Sequence, residues 1–214
     1  AGGMNARALA EVAGAILAEN GSGDVPVGVV TGDDILGQIE ELMAAGCKLE
    51  NLDTGQPLAE LTEPIVSANA YLGARPIADC LAAGARIVLT GRVADASLTV
   101  GPAVHEFGWA WDDWNLLAAA SVAGHIIECG AQATGGYSNR WRGLDLARVG
   151  YPIAEMESDG RTTITKPNGT GGVVDRRSVV EQLIYEIGDP AHYLTPDVGA
   201  DFTTVEVAEE GQNC

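Results

Sequence analysis

The chain has 214 residues, 46% of them hydrophobic, which is ample for one sizeable core or two small ones. A net charge of -18 with no basic run argues against nucleic acid and anionic membrane as partners, since both need basic patches. Four cysteines, Cys47, Cys80, Cys129 and Cys214, lie far apart without a C-x-x-C pair, so neither a zinc knuckle nor a redox dithiol is indicated.

Taken in chain order, Arg7 to Glu19 carries Leu9, Val12, Ile16 and Leu17 near a helical stripe, and Asn20-Gly-Ser-Gly23 stops it. Ala1-Gly-Gly3 leads straight into this helix as though a strand had just ended. Only Glu-Glu-Gly-Gln-Asn-Cys follows the last apolar run, so the sequence reads as a fragment of a longer chain. Val25 to Thr31 is a nearly continuous β-branched run, expected of a strand covered on both faces. Asp33 or Asp34 is placed to cap a helix over Ile35 to Ala45.

Ile65 to Ala70 reads as a second strand, Ile77 to Ala83 as a helix opened by Pro76, and Arg86 to Thr90 as a third strand. Strands alternating with helices predict an α/β fold with a largely parallel sheet. The second half is less regular. It predicts a long helix over Asn115 to Ala131, a hairpin of Ile153 to Glu157 with Thr162 to Thr165, a helix over Asp175 to Ile187, and a strand at Phe202 to Val207. The expected organisation is a parallel, Rossmann-like part over residues 1–110 and a helical, α+β lobe over 111–214, either separate from it or continuous with it.

Several constellations bear chemistry. Thr90-Gly-Arg92 and Asp95-Ala-Ser97 follow a strand, where a parallel sheet presents its binding crevice. Arg92 offers a planar fork for a carboxylate or phosphate, and Asp95 orients it or acts as a base; a plain helix cap paired with Arg92 explains the same residues equally well. Pro102 predicts a kink or restart near Gly101.

Ser121, His125, Glu128 and Gln132 are spaced four, three and four residues apart and form one polar stripe on the long helix. On a surface helix this stripe is the wet face, which is the commoner case. On a buried helix it aims His125 and Glu128 into a cavity as a proton-transfer pair. Two such residues without a third ligand make no metal site.

Trp109, Trp111 and Trp114 fall within six residues and suit either a wall of an apolar substrate pocket or a plug on the core. Lys166-Pro-Asn-Gly169-Thr-Gly171-Gly172 precedes a helix N-terminus with Arg176 and Arg177 nearby, an arrangement that cradles anions or simply satisfies a tight turn. Its spacing matches neither the P-loop nor the dinucleotide pattern. No G-x-S-x-G, H-E-x-x-H or EF-hand pattern is present.

Gly73-Ala-Arg-Pro-Ile77, Thr90-Gly-Arg-Val-Ala-Asp-Ala-Ser97, His105-Glu-Phe-Gly-Trp109 and Ala123-Gly-His-Ile-Ile-Glu-Cys-Gly-Ala-Gln132 resemble the acyclic terpene utilisation, AtuA-like family. So do Thr165-Lys-Pro-Asn-Gly-Thr-Gly-Gly172, Glu181-Gln-Leu-Ile-Tyr-Glu-Ile-Gly-Asp-Pro190 and Tyr193-Leu-Thr-Pro-Asp-Val198. The motifs run in matching order over essentially the whole chain.

The resemblance implies breakdown of citronellol- and geraniol-type compounds through branched acyl-CoA intermediates. It implies no assigned chemical step. The expected function is an enzyme acting on a branched acyl-CoA or carboxylate by hydratase or lyase chemistry. Asp95, His125 and Glu128 would move protons, Arg92 and the Lys166 to Gly172 loop would hold anionic groups, and Trp109 and Trp111 would touch the isoprenoid tail. The alternative is a non-catalytic binding subunit of the same pathway. Acyl-CoA enters as substrate and no separate cofactor or metal is expected. The partner is a small molecule rather than nucleic acid or membrane, with a homo-oligomer permitted. The expected location is the cytoplasm, from the lack of a signal peptide or membrane span and the scattered cysteines.

Overall fold

The computed structural model describes residues 5–214; the Ala1-Gly-Gly3 approach lies outside them. The chain divides into two compact units. One holds the residues up to Leu72 together with Gly84–Val93, and the other holds Gly73–Ala83 with Ala94–Cys214.

The first unit begins with α1 (Ala6–Glu19), whose N-terminus is closed by Asn5 Oδ1 accepting the Ala8 amide at 2.9 Å. The β-branched run becomes β1 (Val27–Val30), which pairs in parallel with β2 (Ile87–Thr90) in the register Val27 to Ile87 through Val30 to Thr90. The two aspartates after β1 divide the work. Asp34 Oδ1 accepts the Leu36 amide at 3.0 Å and opens a short turn into α2 (Ile39–Ala44). Asp33 turns inward and accepts the Arg92 amide at 2.8 Å and the Asn69 side chain at 3.1 Å.

Ile65 to Ala70 does not become a strand. Ala68 O and the Ala70 amide bond to the loop after β1 (Ile35 and Asp33), and Asn69 forms one isolated bridge with Asp34. Parallel strand pairing among the described residues is therefore confined to β1 and β2, and the other two strand pairs are antiparallel. The architecture is mixed α and β with small sheets.

The second unit is built around α5 (Trp114–Glu128). One core packs it with α3 (Arg75–Ala82) and α4 (Ser97–Phe107) through Ala74, Ala78, Val100, Val104, Trp109 and Leu117. The second core packs Ile126 of this helix against Val179 and Leu183 of α6 (Arg176–Leu183) and against Ile164 and Phe202. A helix covered on two sides must be small or apolar nearly all round, which is the composition of Leu117 to Ile126. Gly124 permits the α4 contact, since a Cβ there would come within 2.8 Å of Ala96 Cα.

Pro102 lies inside α4, which runs as one helix from Ser97 to Phe107, so of the expected kink or restart near Gly101 the restart is absent. Tertiary packing of Val100, Ala103 and Val104 outweighs the lost backbone bond. The predicted hairpin is present as β3 (Ile153–Met156) and β4 (Thr162–Thr165), antiparallel. A short pair, β5 (Tyr193–Leu194) and β6 (Gly199–Ala200), follows α6. Phe202 to Val207 is not a strand. Asp201 caps a single turn over Phe202–Thr204 by accepting the Thr203 amide at 2.9 Å, and the rest is irregular. No helix among the described residues is long and apolar enough to cross a membrane.

Candidate functional site

The polar stripe on α5 is not the wet face of a surface helix. Ser121 and His125 are buried in the second unit, His125 at 1% exposure. The stripe then divides by what each residue meets. Ser121 donates back to Leu117 O at 2.9 Å and is self-contained. His125 lies edge-on to Tyr193 (5.3 Å between ring centroids) and Phe202 (5.4 Å), and those two rings stack at 4.5 Å.

His125 Nδ1 approaches Glu128 Oε1 to 3.2 Å, one turn along the same helix. Neither imidazole nitrogen has an aligned hydrogen bond among the described residues, and both are enclosed. The His125 backbone carbonyl accepts Gln182 Nε2 at 2.8 Å, which fixes α6 against this turn of α5.

Two weak acids share the surroundings. Burial first, then the charges of Glu128 and Asp95, hold the Tyr193 phenol above its ordinary value. Burial likewise dominates in raising the Cys129 thiol; Glu128, Glu186 and Asp95 add to it against the lowering effect of a hydrogen bond with Gln182. Asp95, Glu128, His125, Cys129 and Tyr193 thus form one electrostatic neighbourhood. A carboxylate beside a phenol that stays protonated is an arrangement for moving a proton in and returning another.

Asp197 positions this neighbourhood. Its Oδ1 accepts the Ala74 amide at 2.7 Å and its Oδ2 accepts the buried Ser97 hydroxyl at 2.5 Å. The beginnings of α3 and α4 are thereby tied to the turn that carries Tyr193. Thr195 shapes that turn, its Oγ1 accepting the amides of Asp197 and Val198. Tyr193, Cys129 and Asp197 escaped the reading of candidate residues, although Tyr193 and Asp197 belong to the segment Tyr193-Leu-Thr-Pro-Asp-Val198 quoted for the family resemblance. A lone Tyr or Asp in a short loop carries no spacing signal.

The other expected residues lie elsewhere. Arg92 belongs to the first unit, where its guanidinium stacks 5.1 Å over the Tyr71 ring and donates to the Tyr71 hydroxyl at 2.9 Å. Trp109 is a core residue, 7% exposed, stacked on Phe107 and donating to Ser158 O at 3.0 Å. Trp111 lies under the Arg75 guanidinium at 4.6 Å, and Trp114 is exposed.

In the glycine-rich loop, Lys166 Nζ donates to Thr170 O at 2.8 Å and so closes its own turn, with Gly169 and Gly172 at positive φ. Gly171 sits against the Asp145 carbonyl. Arg176 binds Val207 O at 3.1 Å, and Arg177 binds Glu181 at 3.0 Å. Each cation of this cluster already has a protein partner.

A mainly apolar cleft of about 420 Å³ opens on another face of α5, lined by Val122, Ile126, Ile164, Val179, Val205 and Val207, with Arg161, Asp175, Arg176, Glu206 and Glu210 also on its walls. Its size and lining suit an aliphatic ligand. Among the described residues, no group of three or more His, Cys, Asp or Glu side chains is arranged to hold a metal ion.

A family model described as "Acyclic terpene utilisation family protein AtuA" matches residues 1–214, the whole chain. No curated protein and no solved structure matches.

Proposed function

The chain belongs to the acyclic terpene utilisation (AtuA) family, and on that premise we propose that it is an enzyme acting on a branched acyl-CoA or carboxylate by proton transfer of hydratase or lyase type. The observation that carries this reading is the approach of Glu128 to the enclosed His125 at 3.2 Å, in the neighbourhood of the Tyr193 phenol, whose pKa is raised by burial first and then by Glu128 and Asp95. Glu128 acts as the base and removes a proton from carbon. His125 holds the carboxylate in place through the approach of Nδ1 to Oε1. In a dehydration the electrons of the broken C–H bond form the double bond while Tyr193 donates its proton to the departing hydroxyl, which leaves as water. Hydration is the reverse, and burial with the charges of Glu128 and Asp95 raises the phenol pKa.

The apolar cleft beside α5 receives the branched chain in this account. Arg92 and the Lys166 loop remain the proposed holders of anionic groups, with Arg92 the more open of the two, since Lys166 is bonded within its own turn.

His125→Ala in the full-length protein tests the proposal. Catabolism of the terpene is expected to fall steeply with normal protein levels, and its survival at the wild-type rate removes the proton-transfer role. The enclosure of both imidazole nitrogens favours a second reading, a binding subunit that uses the same pocket without chemistry. Retained binding of a branched acyl-CoA with no turnover by the purified protein under any pathway condition would select it.

A further inference from the structure

We infer that the segment from Val205 to Cys214 is a strap that opens and closes the mainly apolar cleft beside α5, an inference that rests on the proposed use of that cleft by an aliphatic chain. The walls of the cleft differ in how they are held. Val122 and Ile126 belong to α5, Val179 to α6 and Ile164 to β4, and each is fixed by the backbone bonds of its own helix or strand pair. The remaining wall is made by Val205 to Ala208 with Glu210 and Cys214. It follows the turn at Phe202–Thr204 and contains neither helix nor strand.

No backbone-to-backbone bond joins residues 206–209 to any other described residue. Side chains hold the segment instead. Arg176 clasps it twice, its Nε donating to Val207 O at 3.1 Å and its amide to Glu209 Oε1 at 3.0 Å. Further along, Asn213 Oδ1 accepts the Val174 amide at 3.1 Å, and Glu210 approaches Arg161 to 4.0 Å. Val205 and Val207 pack, half-buried, against the second core.

The clasps on Arg176 and Arg161 are exposed, and water replaces such bonds at little cost. A wall of helix or strand must break a cooperative ladder to move, whereas the strap gives up only these contacts and the partial burial of two valines. Glu206, Glu209 and Glu210 add mutual repulsion in an already acidic chain, which Arg176 and Arg161 offset when the strap is closed. An aliphatic chain in the cleft tips the balance further towards closure, because Val205 and Val207 then cover apolar surface of the ligand as well as of the core. The open strap admits the chain and the closed strap excludes water from it.

Cys214, half-buried on the strap wall, reports the motion through its alkylation rate, read by mass spectrometry of its peptide in the full-length protein with decanoate as the aliphatic probe. Arg176→Ala and Glu209→Ala are each expected to speed Cys214 labelling about threefold to tenfold, the factor that one lost hydrogen bond represents. Glu209→Gln keeps an oxygen for the Arg176 amide and should stay near the wild-type rate. Saturating decanoate should slow Cys214 labelling in every one of these proteins. Cys129, in the same unit, should keep its own wild-type rate throughout. Unchanged Cys214 rates in both alanine variants overturn the strap, and so does a parallel rise at Cys129, which would mean that the whole unit loosens. Fast labelling in the variants without protection by decanoate would remove the cleft as a seat for the chain, and the gating with it. Neither readout needs turnover, so both stand apart from the fate of the proton-transfer assignment.

Discussion

His125 Nδ1 and Glu128 Oε1 stand 3.2 Å apart at the end of α5, with the imidazole packed edge-on against Tyr193 and Phe202. In the proposed mechanism this histidine supports Glu128 as the base. His125→Gln should then lower kcat by about 10²-fold or more in protein that remains folded. A role confined to packing would lower the amount of folded protein and leave the kcat of the surviving fraction in place.

The Cys129 thiol reports the same field. Burial and the neighbouring carboxylates hold its pKa up, so Cys129 should alkylate slowly near pH 8 while the exposed Cys47 reacts freely. Glu128→Gln removes one of the charges that raise it and should speed Cys129 labelling, read by mass spectrometry of the modified peptides. An unchanged Cys129 rate in that variant would separate the thiol from the Glu128 field.

Asp175 caps α6, accepting the Ser178 amide at 2.8 Å and pairing with Arg140 at 2.6 Å. Burial opposes its charge, but the bonds to Arg140 and to backbone amides win and hold its pKa below the ordinary 3.8. The folded value is depressed, so the stabilisation is complete above the ordinary value and is lost as pH falls through the folded one. Asp175→Asn keeps a competent cap and removes the titration, so its stability deficit relative to wild type should shrink as pH drops below about 4. Asp175→Ala should cost about 1 kcal/mol at neutral pH. Denaturant unfolding at several pH values measures both.

Two glycines of the Lys166 loop separate strain from crowding. Gly169 has a φ of +75° with open space around it, so Gly169→Ala should cost about 1–2 kcal/mol from backbone conformation alone. A Cβ at Gly171 would lie 1.9 Å from the Asp145 carbonyl oxygen, a backbone atom that cannot swing aside. Gly171→Ala should cost more, about 3 kcal/mol, by thermal or chemical unfolding. Equal losses would mean that the contact with Asp145 yields cheaply.

Ser97→Ala tests the tie made by Asp197. It deletes the hydroxyl that satisfies one carboxylate oxygen in a fully buried position and should destabilise by about 1.5–3 kcal/mol, since the acceptor is charged. A loss within experimental error would mean that another donor replaces it.

Elements with strong local pattern were legible in the sequence, and those set by tertiary partners were not. Val27–Val30, Ile87–Thr90 and the hairpin at Ser158-Asp-Gly160 follow from β-branched runs and turn residues. Ile65 to Ala70 shares that composition, yet its carbonyls and amides are taken by the loop after β1. Phe202 to Val207 alternates like a strand, but Asp201 closes a turn at its start and Phe202 is drawn under His125. The spacing of His125 and Glu128 on one face was readable from the helix period. Their burial was not, because it depends on Tyr193 and Phe202, which arrive from about seventy residues downstream.

The most direct measurement is deuterium wash-in from D₂O at the acidic carbon of a branched acyl-CoA, comparing wild-type full-length protein with Glu128→Gln at matched folded concentration. Exchange in the wild type that falls by about 10²-fold or more in the variant is the predicted result. Exchange at the wild-type rate in folded Glu128→Gln protein would contradict the role of Glu128 as the base.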